Sequence, residues 1–191
     1  MKKLLIACCV TLFLSGCASP TDQQLNFTPQ ADNIKSTITQ AKTLSLSTTD
    51  IRTAQYVALV NKGEDKALPI HAKQNTRTAF NSAFATLLQS QGFVISNNSD
   101  NSVEVEIEQV LVRVNSATFS NDMDAKITLK VTAETPTGKF VKTYTGSAKA
   151  NNSMGASNEQ IEHILNHVSK LVLNDIANDV ELINYMEDKF Q

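Results

Sequence analysis

Apolar and polar residues alternate along two long segments in the second half of the chain, as they do in a β-strand with one buried face. In residues 103–114 the apolar phase shifts by one position near residues 108–109. This shift predicts either a β-bulge or a strand end whose other face meets something apolar. Residues 123–133 alternate without interruption. The sequence at residues 135–138 predicts a hairpin turn into a further strand that extends to about Ala150.

Apolar residues at helical spacing predict two long amphipathic helices. The first covers about residues 74–91 and has Gly92 where a C-cap glycine belongs. The second begins at Ser157, which forms a capping box with Gln160, and a shorter helix near residues 182–186 ends the chain. Each apolar stripe is expected to pack on the sheet of its own domain, and the alternative is a partner-binding surface.

Two shorter alternating segments, residues 44–48 and 56–60, predict strands that precede the first helix. The order of strand, helix, a run of strands and helix predicts an α+β domain over residues 41–191. We expect an antiparallel sheet of about four to five strands with two amphipathic helices packed on one face. The domain is long enough for one hydrophobic core, and the other face of its sheet is left uncovered.

The amino terminus has the features of a signal peptide. Two lysines at residues 2–3 precede an apolar run over residues 4–14, which is too short to span a bilayer. Residues 14–17 resemble the bacterial lipobox, which implies a diacylglycerol on the thiol of Cys17 and cleavage just before it. We therefore predict a signal peptide over residues 1–16. The alternative is an ordinary secretory signal that is cut after a small residue.

The residues that follow the cysteine predict where the protein is sorted. Ala18 and Ser19 stand where an aspartate would retain a lipoprotein in the inner membrane. Their identity implies the outer membrane, with the domain on its periplasmic face, and inner-membrane retention is the alternative. Residues 17–40 are rich in Thr, Gln, Asn, Asp and Ser, and we expect them to carry the lipidated cysteine and a flexible tether.

Composition excludes several kinds of function. Loss of the signal removes two of 17 basic residues and none of the 19 acidic ones, so the formal net charge falls from −2 to −4. This charge argues against a nucleic-acid partner. Cys8 and Cys9 leave with the signal, so no cysteine besides Cys17 remains for a disulfide, a metal or catalysis. The nucleophile and phosphate-binding motifs that we sought do not occur, and we expect neither enzyme activity nor a cofactor.

Two residue pairs are candidates for a binding role. Asp50 and Arg52 share a face if they lie on a strand, where they could bind a partner's charge or form a salt bridge at the strand end. His163 and His167 are four residues apart on the second helix, a spacing that can hold one metal ion. Both histidines lie away from the apolar stripe, so we expect a solvent-exposed pair and no metal site.

The uncovered face of the sheet is a third candidate. Glu104 and Glu106 alternate with valines on one predicted strand, and Lys130 lies on the next. Their charges either keep the sheet soluble or form a docking surface for an envelope protein. Together with Asp50 and Arg52 they form our candidate partner surface.

The chain resembles the YajG-type lipoproteins, a family of uncharacterised outer-membrane lipoproteins. The resemblance covers most of the mature chain and rests on the lipobox and on residues 50–52, 89–93, 103–107 and 157–179. It implies location and architecture, and it brings no catalytic residues.

These observations predict a non-catalytic accessory or binding module of the cell envelope, attached to the membrane through its N-terminal lipid. A periplasmic module that binds a glycan or small ligand is the first alternative, although the chain has no Trp and only three Tyr for sugar stacking. A hydrolase is the second alternative.

The lipobox generates one direct prediction. Cys17→Ser should abolish labelling by a radioactive fatty acid and leave the precursor uncut or mis-cut, because the serine hydroxyl does not replace the thiol as lipid acceptor. Labelling followed by membrane fractionation measures both effects. A Cys17→Ser protein that still carries lipid would contradict the anchoring prediction, and Cys9→Ser is the matched control.

Overall fold

The computed structural model describes residues 24–32, 41–63, 66–117, 120–152 and 156–190. These ranges contain three helices: α1 Thr76–Ser90, α2 Asn158–Ala177 and α3 Val180–Lys189. They also contain eight strands: β1 Gln24–Leu25, β2 Thr43–Asp50, β3 Tyr56–Asn61, β4 Leu68–Ala72, β5 Val94–Ile95, β6 Ser102–Ser116, β7 Asn121–Thr135 and β8 Gly138–Asn152. The signal peptide and Cys17 lie outside the described residues.

Local sequence signals set the ends of the two long helices. α1 begins after Asn75, whose side chain accepts a hydrogen bond from the backbone N–H of Thr78 at 3.1 Å. It ends before Gly92, whose φ of 102° favours glycine. α2 begins with the predicted capping box, in which the side chains of Ser157 and Gln160 each accept the other's backbone N–H.

Three strands of 15 residues each, β6, β7 and β8, form the longest part of the sheet. β6 and β7 are antiparallel, with a register shift between Ile107 and Gln109 that confirms the predicted bulge. β7 and β8 are antiparallel in unbroken register from the Thr135–Gly138 pair to the Asn121–Asn152 pair.

The other edge of β6 is shared by two parallel strands. β2 pairs with the first part of β6 and β3 with its last part. β3 also pairs with β4, and these two strands are antiparallel. The short strand β1 pairs with β4 and the short strand β5 pairs with β2, both in parallel. The α+β class is confirmed, but the predicted antiparallel sheet of four to five strands is wrong, because the sheet is mixed and larger. Alternation reveals which side chains are buried and does not reveal which strands are neighbours.

All three helices pack on the same face of this curled sheet, which confirms the one-sided arrangement and adds α3 to it. The inward side chains of β7 are those that the alternation predicted, and all six are at least 97% buried: Met123, Ala125, Ile127, Leu129, Val131 and Ala133. Gly146 of β8 allows α2 to approach closely, because a β-carbon there would lie 2.5 Å from Cγ2 of Val172.

Part of the predicted tether belongs to the domain. Leu25 and Phe27 are fully buried, and the Phe27 ring packs against the Phe80 ring of α1 with centroids 5.3 Å apart. The backbone N–H groups of Asn26 and Thr28 donate to side chains of α2. The prediction of a flexible tether is therefore wrong for residues 24–32, because the scattered apolar residues of this segment belong to the core. Residues 33–40 lie outside the described part of the chain.

None of the helices in the described part of the chain is both long enough and apolar enough to cross a membrane.

Candidate functional site

The face of the sheet that lies opposite the helices is the first candidate surface, and we call it the outer face. It is defined by the outward side chains of β6, β7 and β8. With a rise of about 3.4 Å per residue and about 4.8 Å between strands, three strands of this length span about 50 by 14 Å, or roughly 700 Å². Its exposed members include Glu104, Asp124, Lys126, Glu134, Lys139, Val141, Thr143, Thr145, Ser147 and Lys149.

The structure brings the predicted charged residues together on this outer face. Glu106 lies directly opposite Lys130 in the β6–β7 register, and the two side chains form a salt bridge. The hydrogen bond with Glu106 raises the pKa of Lys130, and the charges of Glu108 and Glu104 add to this effect. Glu104 lies two residues before Glu106 on the same face of β6, opposite Thr132. Lys130 therefore lies among three glutamates of β6, and the pair of Glu134 and Lys139 lies beyond them towards the hairpin turn.

The other end of the outer face has a separate charge cluster. Asp124 lies opposite both Arg113 of β6 and Lys149 of β8, with 3.8 Å between its carboxylate and the lysine Nζ. Between the two clusters, the hydroxyls of Thr128 and Thr145 are 3.2 Å apart. Exposed pairs of this kind contribute little to stability, so these charges can be altered with little effect on the fold.

Asp50 and Arg52 do not lie on the outer face. Arg52 donates to both carboxylate oxygens of Asp50, at 2.9 Å from Nε and 2.7 Å from Nη2. Its Nη1 also donates to the carbonyl oxygens of Tyr56 and Val110, at 3.3 Å each. Only 6% of the Arg52 side chain and 9% of that of Asp50 are exposed. The pair is thus a salt bridge at the end of β2, the second of the two interpretations that the sequence allowed.

A polar cluster that the sequence did not predict joins β8 to the corner between α2 and α3. The phenol of Tyr144 donates to Oδ2 of Asp179 at 2.7 Å, and Nζ of Lys142 lies 2.7 Å from the same oxygen. Lys142 also contacts Glu181 at 2.9 Å. The other oxygen of Asp179 accepts the first backbone N–H groups of α3, so this residue is the N-cap of that helix.

Burial and partners shift the pKa values in this cluster. Burial and the hydrogen bond to Asp179 raise the pKa of Tyr144 far above its ordinary value. Burial acts to raise the pKa of Asp179, but the hydrogen bonds from Lys142 and Tyr144 outweigh it and lower that pKa. The phenol is therefore protonated and the carboxylate charged at neutral pH. This arrangement suits a structural link between strand and helix better than proton transfer.

His163 and His167 are both exposed on α2, as predicted, and their rings are nearly parallel with centroids 6.5 Å apart. Within the described residues, no group of three or more His, Cys, Asp or Glu side chains is arranged to hold a metal ion.

A groove of about 610 Å³ lies between residues 27–32 and α1. Its α1 wall carries hydroxyl side chains one helical turn apart, from Thr78 through Ser82 and Thr86 to Ser90. The hydroxyls of Thr86 and Ser90 donate to carbonyl oxygens of their own helix, at 3.0 and 2.6 Å. The groove was not predicted, because its other wall lies in the segment that we had assigned to the tether.

Comparison with known sequences shows similarity to lipoproteins. A family described as "Uncharacterized lipoprotein" matches residues 29–187. The lipoprotein YajG of Escherichia coli K12 is 21% identical over an alignment of 195 positions, gaps included, which covers 97% of each chain. The YajG protein of E. coli strain CFT073 is similar to the same degree.

Comparison with solved structures shows a shared fold at low sequence identity. Protein XCC0632 from Xanthomonas campestris has a TM-score of 0.57 and 10% identity, covering 86% of this chain and 94% of that chain. A putative neuraminyllactose-binding hemagglutinin homolog from Helicobacter pylori has a TM-score of 0.50 and 12% identity, covering 87% and 97% of the two chains.

The cluster around Asp179 generates a prediction about stability. Asp179→Ala should lower the free energy of unfolding by about 1 kcal/mol more than Asp179→Asn, because asparagine still caps α3 and alanine does not. Urea melts of the two variants and the wild type measure this difference. Equal losses in both variants would contradict the capping role.

The same cluster predicts how the effect depends on pH. The folded-state pKa of Asp179 is lowered, so its charge stabilises the fold above the ordinary value of 3.8, and this contribution is lost as pH falls through the lower folded value. The raised pKa of Lys142 sets the upper limit, above 10.5. The stability difference between wild type and Asp179→Asn should therefore be constant near neutral pH and shrink below about pH 4.

Proposed function

Since the chain belongs to the family of YajG-type lipoproteins, we propose that it is a non-catalytic docking module of the cell envelope. In this proposal a lipid on Cys17 holds it at the periplasmic face of the outer membrane, and the outer face binds an envelope protein. The observation that carries the proposal is the outer face itself, which the helices leave uncovered along the whole length of three 15-residue strands.

The size of the outer face supports a protein partner. Its roughly 700 Å² is close to the area of about 800 Å² that one partner contributes to a standard interface. It is a sheet surface, which suits another protein better than a small molecule, since small ligands are usually enclosed in a cleft. Its charges are of both signs and lie in two separate clusters, and such patterns favour one orientation of one partner.

The polar clusters elsewhere support a non-catalytic role. The Asp50–Arg52 pair occupies a strand end, and the side chains of Lys142, Tyr144 and Asp179 join a strand to a helix corner. In both clusters the charged groups are engaged with partners of the same chain. Neither contains a Ser, Thr or Cys nucleophile beside a base, which is the arrangement that most hydrolases use. The phenol of Tyr144 does lie beside the Asp179 carboxylate, but its pKa is raised far above the ordinary value, so it is poorly suited to act as a nucleophile.

Site-specific photo-crosslinking in cells tests the docking proposal. A photoreactive residue at Thr132 on the outer face should yield one discrete crosslinked protein, whereas the same residue at His163 on α2 should not. The variant Glu104→Lys, Glu106→Lys, Lys130→Glu should reduce the Thr132 product at least tenfold. Its melting temperature should stay within a few degrees, because Glu106 and Lys130 exchange charges and remain a pair.

A second charge exchange serves as the control. Asp124→Lys with Lys149→Asp alters the other end of the outer face and should leave the product unchanged if the glutamate cluster selects the partner. A product that persists in the triple variant, or that forms equally from His163, would contradict docking through this face. In that case the charges would serve only to keep the sheet soluble.

A sugar-binding module is the second candidate function. The groove beside α1 has a wall of regularly spaced hydroxyl groups, and the Helicobacter pylori protein that shares the fold is described as a homolog of a neuraminyllactose-binding hemagglutinin. Titration of the chain with neuraminyllactose, measured by calorimetry, should give saturable binding under this alternative. Ser82→Leu would narrow the groove and remove one hydroxyl of its wall, so it should weaken that binding, while Gln89→Leu on the same helix should not. An absence of heat in the wild type would dismiss this alternative.

A further inference from the structure

The free edge of β8 is the longest exposed edge that the described strands form. β8 pairs with β7 over all 15 residues, and none of the other described strands pairs with its second edge. The opposite end of the sheet is different, because β1 and β5 are only two residues long. Very short edge strands are a common protection against pairing with another chain. β8 has no such protection, so its backbone is available over about 50 Å.

The hairpin turn determines which peptide groups point outward. In a turn of two residues, the N–H of Gly138 bonds to the carbonyl of Thr135. Hydrogen-bonded and outward-pointing residues then alternate along the strand, and the register does not shift before Asn152. The odd-numbered residues from Lys139 to Asn151 therefore direct both N–H and C=O away from β7.

The charges along β8 are balanced within the chain. Lys139 lies opposite Glu134, and Lys149 lies opposite Asp124 and within salt-bridge distance of it. Lys142 is held by Asp179 and Glu181. Residues 143–148 between these lysines contain no charge and no proline. Each lysine of the edge thus has an acidic residue of its own chain nearby, and the centre of the edge lacks the residues that usually prevent pairing.

We propose that β8 is the interface of a symmetric dimer, in which the β8 strands of two copies pair in antiparallel register about a two-fold axis at Thr145. This register overlaps all 15 residues. It places Thr143 opposite Ser147 of the second copy and Lys139 opposite Asn151 of the second copy. An axis at Tyr144 would instead place Lys139 opposite Lys149, and like charges in that position are unfavourable.

A second copy fits this edge better than an unrelated strand, because the hydroxyl-rich centre of β8 is complementary to itself. Pairs of Thr with Thr or Ser are favourable across antiparallel strands. An edge of about 50 Å and about 10 Å thickness buries on the order of 1,000 Å² over both copies, which is at the lower limit for a biological interface. The dimer is expected to dissociate on dilution. It uses the strand edge and not the outer face, so it is independent of the proposed docking function.

Disulfide crosslinking of the full-length lipoprotein in membranes tests the proposed axis. Thr145→Cys should form a dimer on mild oxidation, because directly opposite residues have β-carbons about 5 Å apart. Lys139→Cys is the matched control and should form none, because its two copies would lie roughly 40 Å apart. Combining Lys139→Cys with Asn151→Cys should restore the dimer. Crosslinking of Thr145→Cys to another protein, or equal dimer from Thr145→Cys and Lys139→Cys, would overturn the proposal.

Charge variants at the axis test the same interface without oxidation. Thr145→Lys and Thr145→Glu should each weaken dimerisation at least tenfold in analytical ultracentrifugation of the detergent-solubilised lipoprotein, because each places like charges opposite one another. An equal mixture of the two variants should recover the dimer. Thr145 is exposed, so the melting temperature should change little. A wild type that stays monomeric at every concentration up to its solubility limit in detergent, or a mixture of the two variants that does not recover the dimer, would overturn the proposal.

Discussion

The need to satisfy the backbone hydrogen bonds of β6 organises most of this structure. β6 lies inside the sheet with buried side chains on its inner face, so its peptide groups require protein partners along both edges. β7 supplies them along one edge, while β2 and then β3 supply them along the other. The chain leaves the sheet between β2 and β3, beside the bulge. There the guanidinium of Arg52 bonds to a carbonyl on each side of the gap, from Tyr56 and Val110. A buried guanidinium is costly without a counter-charge, which explains why Asp50 accompanies it.

The sequence predicted those parts of the fold that depend on local patterns. Alternation along β6 and β7 identified the inward side chains and the bulge near Glu108, because the two faces of a strand follow a period of two. The capping box at Ser157 identified the start of α2 in the same way. β4 was missed because Pro69 interrupts its short apolar run. The parallel neighbours of β6 were missed because pairing across long connections leaves no periodic signal in either strand.

The contacts of the candidate site also differ in whether local sequence predicts them. The pairing of Glu106 with Lys130 was foreseeable, because their strands are joined by a short connection and their charges alternate with buried residues. The contact of Tyr144 with Asp179 joins residues 35 positions apart, where a strand meets a helix corner. Neither residue lies in a recognisable motif, and only the packed structure reveals their contact. Asp50 and Arg52 form the salt bridge that their spacing allowed, but their burial depends on the gap in the sheet, which no local pattern reveals.

The two proposed contacts use different groups of the sheet. The docking contact uses the outward side chains of the long strands, and the dimer contact uses the outward peptide groups of β8. Two copies joined along β8 would form a continuous surface of six long strands, about 1,400 Å² in extent. A partner could then contact both copies at once, and its affinity would benefit from the two linked contacts.

The burial of Leu25 and Phe27 has a mechanical consequence for a lipid-anchored protein. Seven peptide links join Cys17 to Gln24 in the sequence, and a chain of that length spans at most about 25 Å when it is fully extended. A pull on the lipid would be borne by β1 and the Phe27 ring, both of which are fixed to the core. With the proposed lipid in the membrane, the domain would be confined to a shallow layer next to the bilayer, and the proposed dimer and docking contacts would then form within a small volume.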